Sequence, residues 1–420
     1  MSADWKNGLP AGFVWNCISR LEREPKSDAI RNLRLVCKPW CAELTGSVTS
    51  GTYVAGKCSP MWLTLPKLNR LKILTVEEAD GDLVLAEVKL AKSVLPLLSS
   101  VAFRGCSLDE SPIPMSSALQ GISELALVDC RLPASTHLWF LESLTSLTIR
   151  FIPREDDDDA AETDLKYGVV RIPALTTLYL SFVKVVEWEF GRLARLQSLD
   201  LNCCDIDDDG ITEIGKIEGM KHLSALYCNY ITDDGMSQLP RSLETLDIRN
   251  CDRIETTEWL PRLARLSSLS ITVCEEEHVN AKLARIRRLD SLHVEVDSNQ
   301  LSGEALAAMA RQTNITSMNL RIRFVSCKSV EIRGHFVSSL VSLMCSWCTD
   351  TDEFMRELSG CSSLAKIRLQ FCSHLTDAGL ERLPGSLKRI VIDTCYGVTD
   401  DGVQKLRHRI PGLEVVTSCV

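Results

Sequence analysis

Residues 364–402 read LAKIRLQFCSHLTDAGLERLPGSLKRIVIDTCYGVTDDG and contain one phrase twice. Each copy places three aliphatic residues and a cysteine at the spacing L-x-x-L-x-L-x-x-C, and Thr-Asp and a glycine follow. The two copies, about 23 residues apart, are Leu364, Ile367, Leu369, Cys372 and Leu387, Ile390, Ile392, Cys395. A fixed period in the twenties predicts a chain built from stacked copies of one small unit.

The same phrase recurs along most of the chain. Its aligned first positions are Leu71, Leu98, Ile122, Leu144, Leu175, Leu196, Met220, Leu243, Leu266, Leu289, Ile315, Leu340, Leu364, Leu387 and Leu413. Most intervals are about 21 to 27 residues, the range of leucine-rich repeats. The sequence therefore predicts an α/β leucine-rich-repeat solenoid over residues 68–420, with about 14 repeats. We expect a horseshoe with parallel strands on the concave side and helices on the convex side.

Each predicted repeat is a strand, a turn and a helix. In the copy that starts at Leu243, Leu246 and Ile248 alternate along the strand and point inward. A cysteine follows at the turn, where a buried thiol fills space and donates weakly to free carbonyls. The cysteines at this position are Cys106, Cys130, Cys204, Cys228, Cys251, Cys274, Cys348, Cys372 and Cys395. The next helix starts at Thr-Asp-x-Gly, with Asp233, Asp377 and Asp400 as candidate N-caps. This pattern resembles the cysteine-containing class of leucine-rich repeats, which is common in F-box proteins.

Residues 1–45 lack the repeat and predict three short helices, each with one apolar face. Leu9-Pro10 opens the segment, and the phrase Val-Cys-Lys-x-Trp at 36–40 closes it. This wording resembles an F-box, a family that binds the Skp-type adaptor of cullin-based ubiquitin ligases. The resemblance implies that Leu9, Pro10, Val14 and Ile18 contribute to the adaptor contact. The alternative is a plain helical cap that shields the first repeat.

Two other segments interrupt the repeat pattern. Residues 46–67 are rich in Gly, Ser, Thr and Pro and form either a linker or a partial first repeat. The interval that contains residues 153–172 is long and carries the acidic run Arg-Glu-Asp-Asp-Asp-Asp at 154–159. This insert is either a solvated excursion or a docking site for a basic partner.

The amino-acid composition limits the cellular compartment and the classes of partner that we expect. The net charge of -9 over 420 residues argues against a nucleic-acid backbone as the main ligand. No apolar run approaches the length of a membrane span, and the start of the sequence has no apolar signal core. Many of the 18 cysteines recur at the repeat period. We therefore expect reduced thiols and a cytoplasmic or nuclear location, with no membrane partner.

No motif predicts catalysis, a metal or a cofactor. Asp205-x-Asp207-x-Asp209 resembles the opening of a calcium loop, but Lys216 occupies the position that requires a glutamate. Cys345-x-x-Cys348 lacks a second pair at zinc spacing, and the repeat register explains both residues. The histidines are scattered, and no phosphate-binding glycine loop occurs. We expect a non-catalytic protein.

The residues that flank the inward strand positions predict a binding surface on the concave face. Arginine and aromatic residues there are typical interface anchors. The candidate partner-binding residues are Phe151, Tyr179, Phe182, Asp200, Tyr227, Asp247, Arg249, Arg321, Trp347, Arg368 and Phe371. Combined with the F-box resemblance, they favour a substrate-recognition subunit of an SCF-type ubiquitin ligase, a monomer within a hetero-complex that holds a target protein. The alternative is a non-catalytic leucine-rich-repeat scaffold or inhibitor.

Overall fold

The computed structural model of the chain describes residues 50–54, 71–77, 85, 88–89, 92–93, 95–108, 115–131, 141–151, 172–183, 189–273, 289–297, 315–323 and 336–418. The chain divides into two compact units, Met1–Leu175 and Thr176–Val420. The predicted helical packet at 1–45, and with it Leu9, Pro10, Val14 and Ile18, lies outside the described residues. So does the predicted acidic insert except for its last residue, Ile172.

The first unit contains five described strands that pair in parallel in sequence order. They are β1 (Ser50–Val54), β2 (Ile73–Glu77), β3 (Ser100–Arg104), β4 (Glu124–Val128) and β5 (Ser146–Arg150). Helix α1 (Met115–Ala118) lies between β3 and β4. Strand β1 falls within residues 46–67, so the parallel pairing of this unit begins in that segment.

The second unit continues the same scheme, since each strand pairs in parallel with the next. Its strands are β6 (Thr177–Ser181), β7 (Ser198–Asn202), β8 (His222–Leu226), β9 (Thr245–Ile248), β10 (Ser268–Val273), β11 (Leu289–Asp297), β12 (Ile315–Arg323), β13 (Leu340–Ser346), β14 (Lys366–Gln370), β15 (Arg389–Asp393) and β16 (Glu414–Ser418). Equivalent repeat positions face each other, as Ile367 and Ile390 do. The prediction of parallel strands at the repeat period is confirmed.

The connections between strands of the second unit are short. The described helices are α2 (Asp208–Gly215), α3 (Asp233–Met236), α4 (Phe336–Ser339), α5 (Thr351–Glu357), α6 (Asp377–Leu380) and α7 (Asp400–Arg409). Single 3-10 turns occur at Phe190–Arg192, Leu260–Arg262 and Leu358–Gly360. A period in the twenties leaves few residues after the strand, so a connection holds one to three turns of helix at most.

The core is made by the inward strand positions. Along most strands, buried and partly exposed residues alternate, as the two-residue period of a strand requires. Leu246 and Ile248 of β9 are almost fully buried, and so are the turn residues Cys251 and Cys395. The prediction that these positions face the core is confirmed.

The turn cysteines form a ladder between neighbouring repeats. The Cys228 thiol donates to the Leu201 carbonyl of the preceding repeat at 3.4 Å, and the Cys251 thiol donates to the Ala225 carbonyl at 2.8 Å. The described turn cysteines are buried, whereas Cys274 lies outside the described residues. Burial raises the pKa of the Cys204 thiol to about 12, so the thiol keeps the proton that it donates.

The prediction that Asp233, Asp377 and Asp400 cap their helices is wrong. The N-caps are the preceding threonines, Thr232, Thr376 and Thr399, whose side-chain oxygens accept backbone N–H bonds of the first turn. The threonine is still extended, and the helix begins at the aspartate. The aspartate therefore occupies the first helical position, where its carboxylate is free to reach away from its own helix.

The carboxylate of that aspartate binds the next repeat. Asp208 accepts the backbone N–H of Thr232 at 2.8 Å and its hydroxyl at 2.6 Å. Asp377 accepts the backbone N–H and hydroxyl of Thr399 at 2.8 and 2.7 Å. Each threonine is thus a cap for its own helix and a donor to the repeat before it, so the motif links successive repeats.

The glycine of Thr-Asp-x-Gly makes room for this link. A Cβ at Gly235 would lie 2.2 Å from Asp208 Oδ1, and a Cβ at Gly402 would lie 2.0 Å from Asp377 Oδ1. These distances are far below van der Waals contact, so any larger residue would displace the carboxylate. The Thr-Asp-x-Gly motif therefore stabilises the packing of one repeat against the next.

Candidate protein-interaction surface

The residue that leaves each strand adopts a left-handed backbone conformation in most repeats of the second unit. Positive φ angles of 51–58° occur at Phe182, Cys203, Tyr227, Asn250, Trp347, Phe371 and Thr394, each directly before the turn position. A bulky L-residue in this conformation costs about 1–2 kcal/mol, which glycine would avoid. Four of these positions nevertheless carry an aromatic ring, and we call Phe182, Tyr227, Trp347 and Phe371 the aromatic rim.

The aromatic rim is exposed to solvent. Tyr227 and Trp347 are about half exposed, at 52% and 51%, and Phe371 is 38% exposed. The rings of Trp347 and Phe371 stack with centroids 4.2 Å apart and planes 8° from parallel. The backbone N–H of Trp347 donates to the Gln370 carbonyl at 2.9 Å, which ties one turn to the next strand. The fold thus holds a flat apolar platform in a fixed orientation.

A charged network lies beside the rim on the outward-facing side of the sheet. Glu295 of β11 accepts from Arg249 Nη1 at 3.1 Å and from Arg321 Nη1 at 3.0 Å. Asp247 accepts from Arg249 Nε at 2.9 Å and from Nη2 at 2.8 Å. His293 Nε2 lies 3.4 Å from Glu295 Oε1. The network joins β9, β11 and β12 across β10.

Glu295 is the centre of this network. Glu295 is only 6% exposed, although it lies on the outward-facing side of the sheet. The hydrogen bonds with His293 and Arg321 and the charges of Arg321 and Arg249 lower the pKa of Glu295 to about 2, against the opposing effect of burial. Asp247 is the main cause that raises the pKa of Arg249. Glu295 is therefore ionised at neutral pH, and its carboxylate holds the two arginines in place.

The pairing between β12 and β13 changes which outward-facing residues of neighbouring strands lie opposite each other. Leu320 pairs with Leu343 and Arg321 with Met344, after a register shift at Met318 and Asn319. Equal spacing from the aligned first positions Ile315 and Leu340 would instead place Met344 opposite Asn319, so the observed pairing differs from it by two residues. The longer strands β11 and β12 carry the pairing two residues further along the chain. As a result, Arg321 shares a row with Arg368 of β14.

Asp200 of β7 is a polar group in an unfavourable environment. Its Oδ1 atom is buried and lacks a hydrogen-bond partner among the described residues. Burial, together with the charge of Asp247, raises the pKa of Asp200 to about 6, while a hydrogen bond with Ser224 opposes the shift. The ionised form of Asp200 therefore costs folding free energy at neutral pH.

Replacing Asp200 by asparagine should stabilise the second unit at pH 8 by about 1 kcal/mol, a value kept small because the side chain is partly solvated. The folded pKa of about 6 lies above the usual 3.8, so the cost is absent below pH 3.8 and complete above pH 6. Urea denaturation at pH 4 and pH 8 measures the effect. Equal gains at both pH values would contradict this assignment.

The structure brings part of the predicted surface together. Asp247, Arg249 and Arg321 meet in one network through Glu295, and Trp347 and Phe371 meet in one stack. Tyr179 pairs with Asp200 across β6 and β7, and Arg368 is exposed on β14.

Other predicted residues stand apart from these two groups. Phe151 is half-buried directly after β5 in the first unit. The list of candidate partner-binding residues omits Glu295 and His293, although the repeat spacing places them at the same outward positions as Arg249 and Asp247. Leu9, Pro10, Val14 and Ile18 lie outside the described residues.

The described residues offer neither a group of metal ligands nor a membrane-spanning helix. Among the residues that the structure describes, no three His, Cys, Asp or Glu side chains are grouped so as to hold a metal ion. Within the same part of the chain, no helix has the length and apolar character needed to cross a membrane. The exposed aromatics and the charged network are therefore the features that the described surface offers a ligand.

Comparison with known proteins agrees with the repeat assignment. A sequence profile described as Leucine Rich repeat matches residues 195–215. A search of curated proteins finds no matching relative. Among solved structures, the chain is similar to TLR13 in its complex with ssRNA13, with 15% identity, a TM-score of 0.56, and coverage of 84% of this chain and 50% of that one. The chain thus spans about half the length of that protein.

Two further solved structures are similar at lower scores. One is Rad7 in the yeast Rad7–Elc1 complex, with 16% identity, 96% coverage of both chains and a TM-score of 0.45. The other is a leucine-rich-repeat protein of Leptospira interrogans, with 14% identity, coverage of 90% of this chain and 98% of that one, and a TM-score of 0.38. The repeat spacing and the parallel strand register, together with the profile match at residues 195–215 and the similarity to TLR13, show that the described part of this chain has a leucine-rich-repeat fold.

Proposed function

We propose that this chain is the substrate-recognition subunit of a cullin-based, SCF-type ubiquitin ligase. Residues 1–45 dock on the Skp-type adaptor, and the leucine-rich repeats hold the target protein. The repeats contribute proximity: they keep a lysine-bearing target near a conjugating enzyme that other subunits carry. The chain itself performs no catalysis and acts in the cytoplasm or nucleus.

The sequence of residues 1–45 carries this proposal. Leu9-Pro10 and the Val-Cys-Lys-x-Trp phrase at 36–40 precede a leucine-rich-repeat array, the arrangement of the F-box family that they resemble. The described surface supports the second half of the proposal. Exposed aromatic residues and fixed arginines are the residue types that dominate protein-interface energetics, and both occur on the second unit.

Co-expression of the full chain with a Skp-type adaptor tests the adaptor contact. The two proteins should co-purify as a one-to-one complex, and the variant Leu9→Ala/Pro10→Ala/Ile18→Ala should lose most of the adaptor, because the contact is apolar. The variant Trp347→Ala/Phe371→Ala is the matched control and should retain the adaptor.

Failure of the wild-type chain to co-purify, with a folded repeat array shown by circular dichroism, would refute the ligase assignment. The chain would then fit the second candidate, a non-catalytic leucine-rich-repeat scaffold or inhibitor whose first residues only cap the array. The exposed aromatic rim favours a binding role in either case.

A further inference from the structure

Six of the turns that follow strands of the second unit are strongly acidic. The turn segments are 204–209, 228–234, 251–255, 348–353, 372–377 and 395–401. They contain no lysine, and Arg253 is their only arginine. Their carboxylates are Asp205, Asp207, Asp208, Asp209, Asp233, Asp234, Asp252, Glu255, Asp350, Asp352, Glu353, Asp377, Asp400 and Asp401. These six turns therefore carry a negative potential.

Packing between repeats explains only part of this acidity. Asp207 caps α2, and Asp208 and Asp377 bind the following threonines. Asp205 and Glu255 are exposed, and neither belongs to a Thr-Asp-x-Gly motif. Basic residues concentrate instead at the starts of the strands, at Arg195, Lys221, Arg241, Arg265, Lys366, Lys388 and Arg389. The starts of the strands also carry Glu244 and Glu414, which pair with Lys221 and Arg389, so they hold both signs of charge. The six turns are almost wholly acidic, and Tyr227, Trp347 and Phe371 directly precede three of them.

The rim adds exposed aromatic faces to these acidic turns. Trp347 and Phe371 form the stacked pair, and the backbone N–H of Phe371 donates to the carbonyl of Asp393 at 3.0 Å. Asp350 lies three residues after Trp347 in the same turn, and Tyr396 is 81% exposed in the last turn. Tyr230 already has a guanidinium over its ring, with Arg253 Cζ 5.7 Å from the centroid. Aromatic faces surrounded by carboxylates are the surroundings that a cationic side chain prefers.

We propose that the aromatic rim and the acidic turns form a docking surface for an arginine- or lysine-rich segment of a partner protein. Cationic side chains of that segment lie over the exposed rings of Trp347, Phe371 and Tyr227, and the turn carboxylates hold the charges that extend beyond the rings. This inference rests on the proposed function, because it assigns the chemical class of the target segment. Charge complementarity selects a basic occupant and disfavours nucleic acid, whose phosphates the turn carboxylates repel.

Titration of the full chain with octa-arginine peptide, followed by tryptophan fluorescence and calorimetry in 0.3 M salt, tests this proposal. Octa-arginine should bind, and octa-glutamate should not. The variant Trp347→Ala/Phe371→Ala should weaken octa-arginine binding about tenfold, because it removes the platform and leaves every charge in place. The variant Asp350→Asn/Glu353→Gln, which neutralises two carboxylates of the turn that follows Trp347, should weaken binding about fivefold.

The matched control is Glu142→Gln/Glu218→Gln, which removes the same number of negative charges at exposed positions outside the turns. It should change the affinity by less than about twofold. Equal weakening by the two charge variants, or binding that survives removal of Trp347 and Phe371, would overturn the proposal. Sedimentation that shows wild-type self-association, lost in Trp347→Ala/Phe371→Ala, would also overturn it and assign the rim to a second copy. None of these measurements involves the adaptor, so their failure leaves the test of residues 1–45 intact.

Discussion

Replacing Gly402 by alanine should destabilise the C-terminal repeats by about 2 kcal/mol, because the new methyl group displaces the Asp377 carboxylate. A Cβ at Gly402 would lie 2.0 Å from Asp377 Oδ1 and 2.2 Å from its Cγ. The carboxylate would have to leave its two bonds with Thr399. Urea denaturation followed by circular dichroism measures the loss, and hydrogen exchange should show it concentrated around α6 and α7.

Gly385→Ala is the matched control for this experiment. Gly385 lies in the preceding repeat, and a Cβ there would meet no atom within 4 Å. The substitution should change stability by less than about 0.5 kcal/mol, or raise it slightly by restricting the unfolded chain. An equal loss at Gly385 and Gly402 would show that backbone freedom, and not the inter-repeat carboxylate, requires the glycine.

Replacing Glu295 by glutamine should destabilise the second unit by about 3 kcal/mol, since it leaves the Arg249 and Arg321 guanidinium groups without their shared carboxylate. Glu295 is 6% exposed and accepts from both arginines. Glutamine has the same shape, so lost charge and not lost packing accounts for the change. Thermal and urea unfolding at pH 7 measure it.

The pH dependence of this effect has a definite sign. The folded pKa of Glu295 is about 2, below the usual 4.5, so its stabilising contribution is complete above pH 4.5 and is lost as the pH falls through about 2. The difference between wild type and Glu295→Gln should therefore be constant from pH 5 to 8 and shrink below pH 4.5. A difference that persists unchanged at pH 2 would contradict this assignment.

Glu244→Gln is the matched control for Glu295→Gln. Glu244 pairs with Lys221 at 3.9 Å, and both side chains are nearly half exposed. Exposed ion pairs contribute less than about 1 kcal/mol, so this substitution should have little effect. The contrast between the two glutamates separates the buried network from ordinary surface charge.

The sequence predicted the repeat unit because packing imposes it locally. The positions of Leu246, Ile248 and Cys251 are apolar in repeat after repeat, at a fixed spacing. An inward strand position must be apolar whatever residues the neighbouring repeat places against it. The rim aromatics were also predictable as surface residues, because they follow the strand at a fixed place. Their left-handed backbone and the stack of Trp347 on Phe371 were not, since both depend on how one turn meets the next.

The Thr-Asp-x-Gly motif shows the same division. A cap near Asp377 follows from the residue types, but the choice between Thr376 and Asp377 depends on where the backbone stops being extended. The aspartate's partner is a threonine more than twenty residues away, which local sequence rules do not see. The sequence shows the motif, but it does not show that the motif links neighbouring repeats.

By itself, the sequence determined the parallel repeats, the buried cysteines and the polar outer face, because each is required by the spacing of side chains along one unit. Only the tertiary structure decided which outer-face residues meet. The register shift between β12 and β13 places Arg321 opposite Met344 and in one row with Arg368 of β14, an arrangement that equal repeat spacing does not give. Register is a property of two strands together, and the spacing within either strand does not encode it.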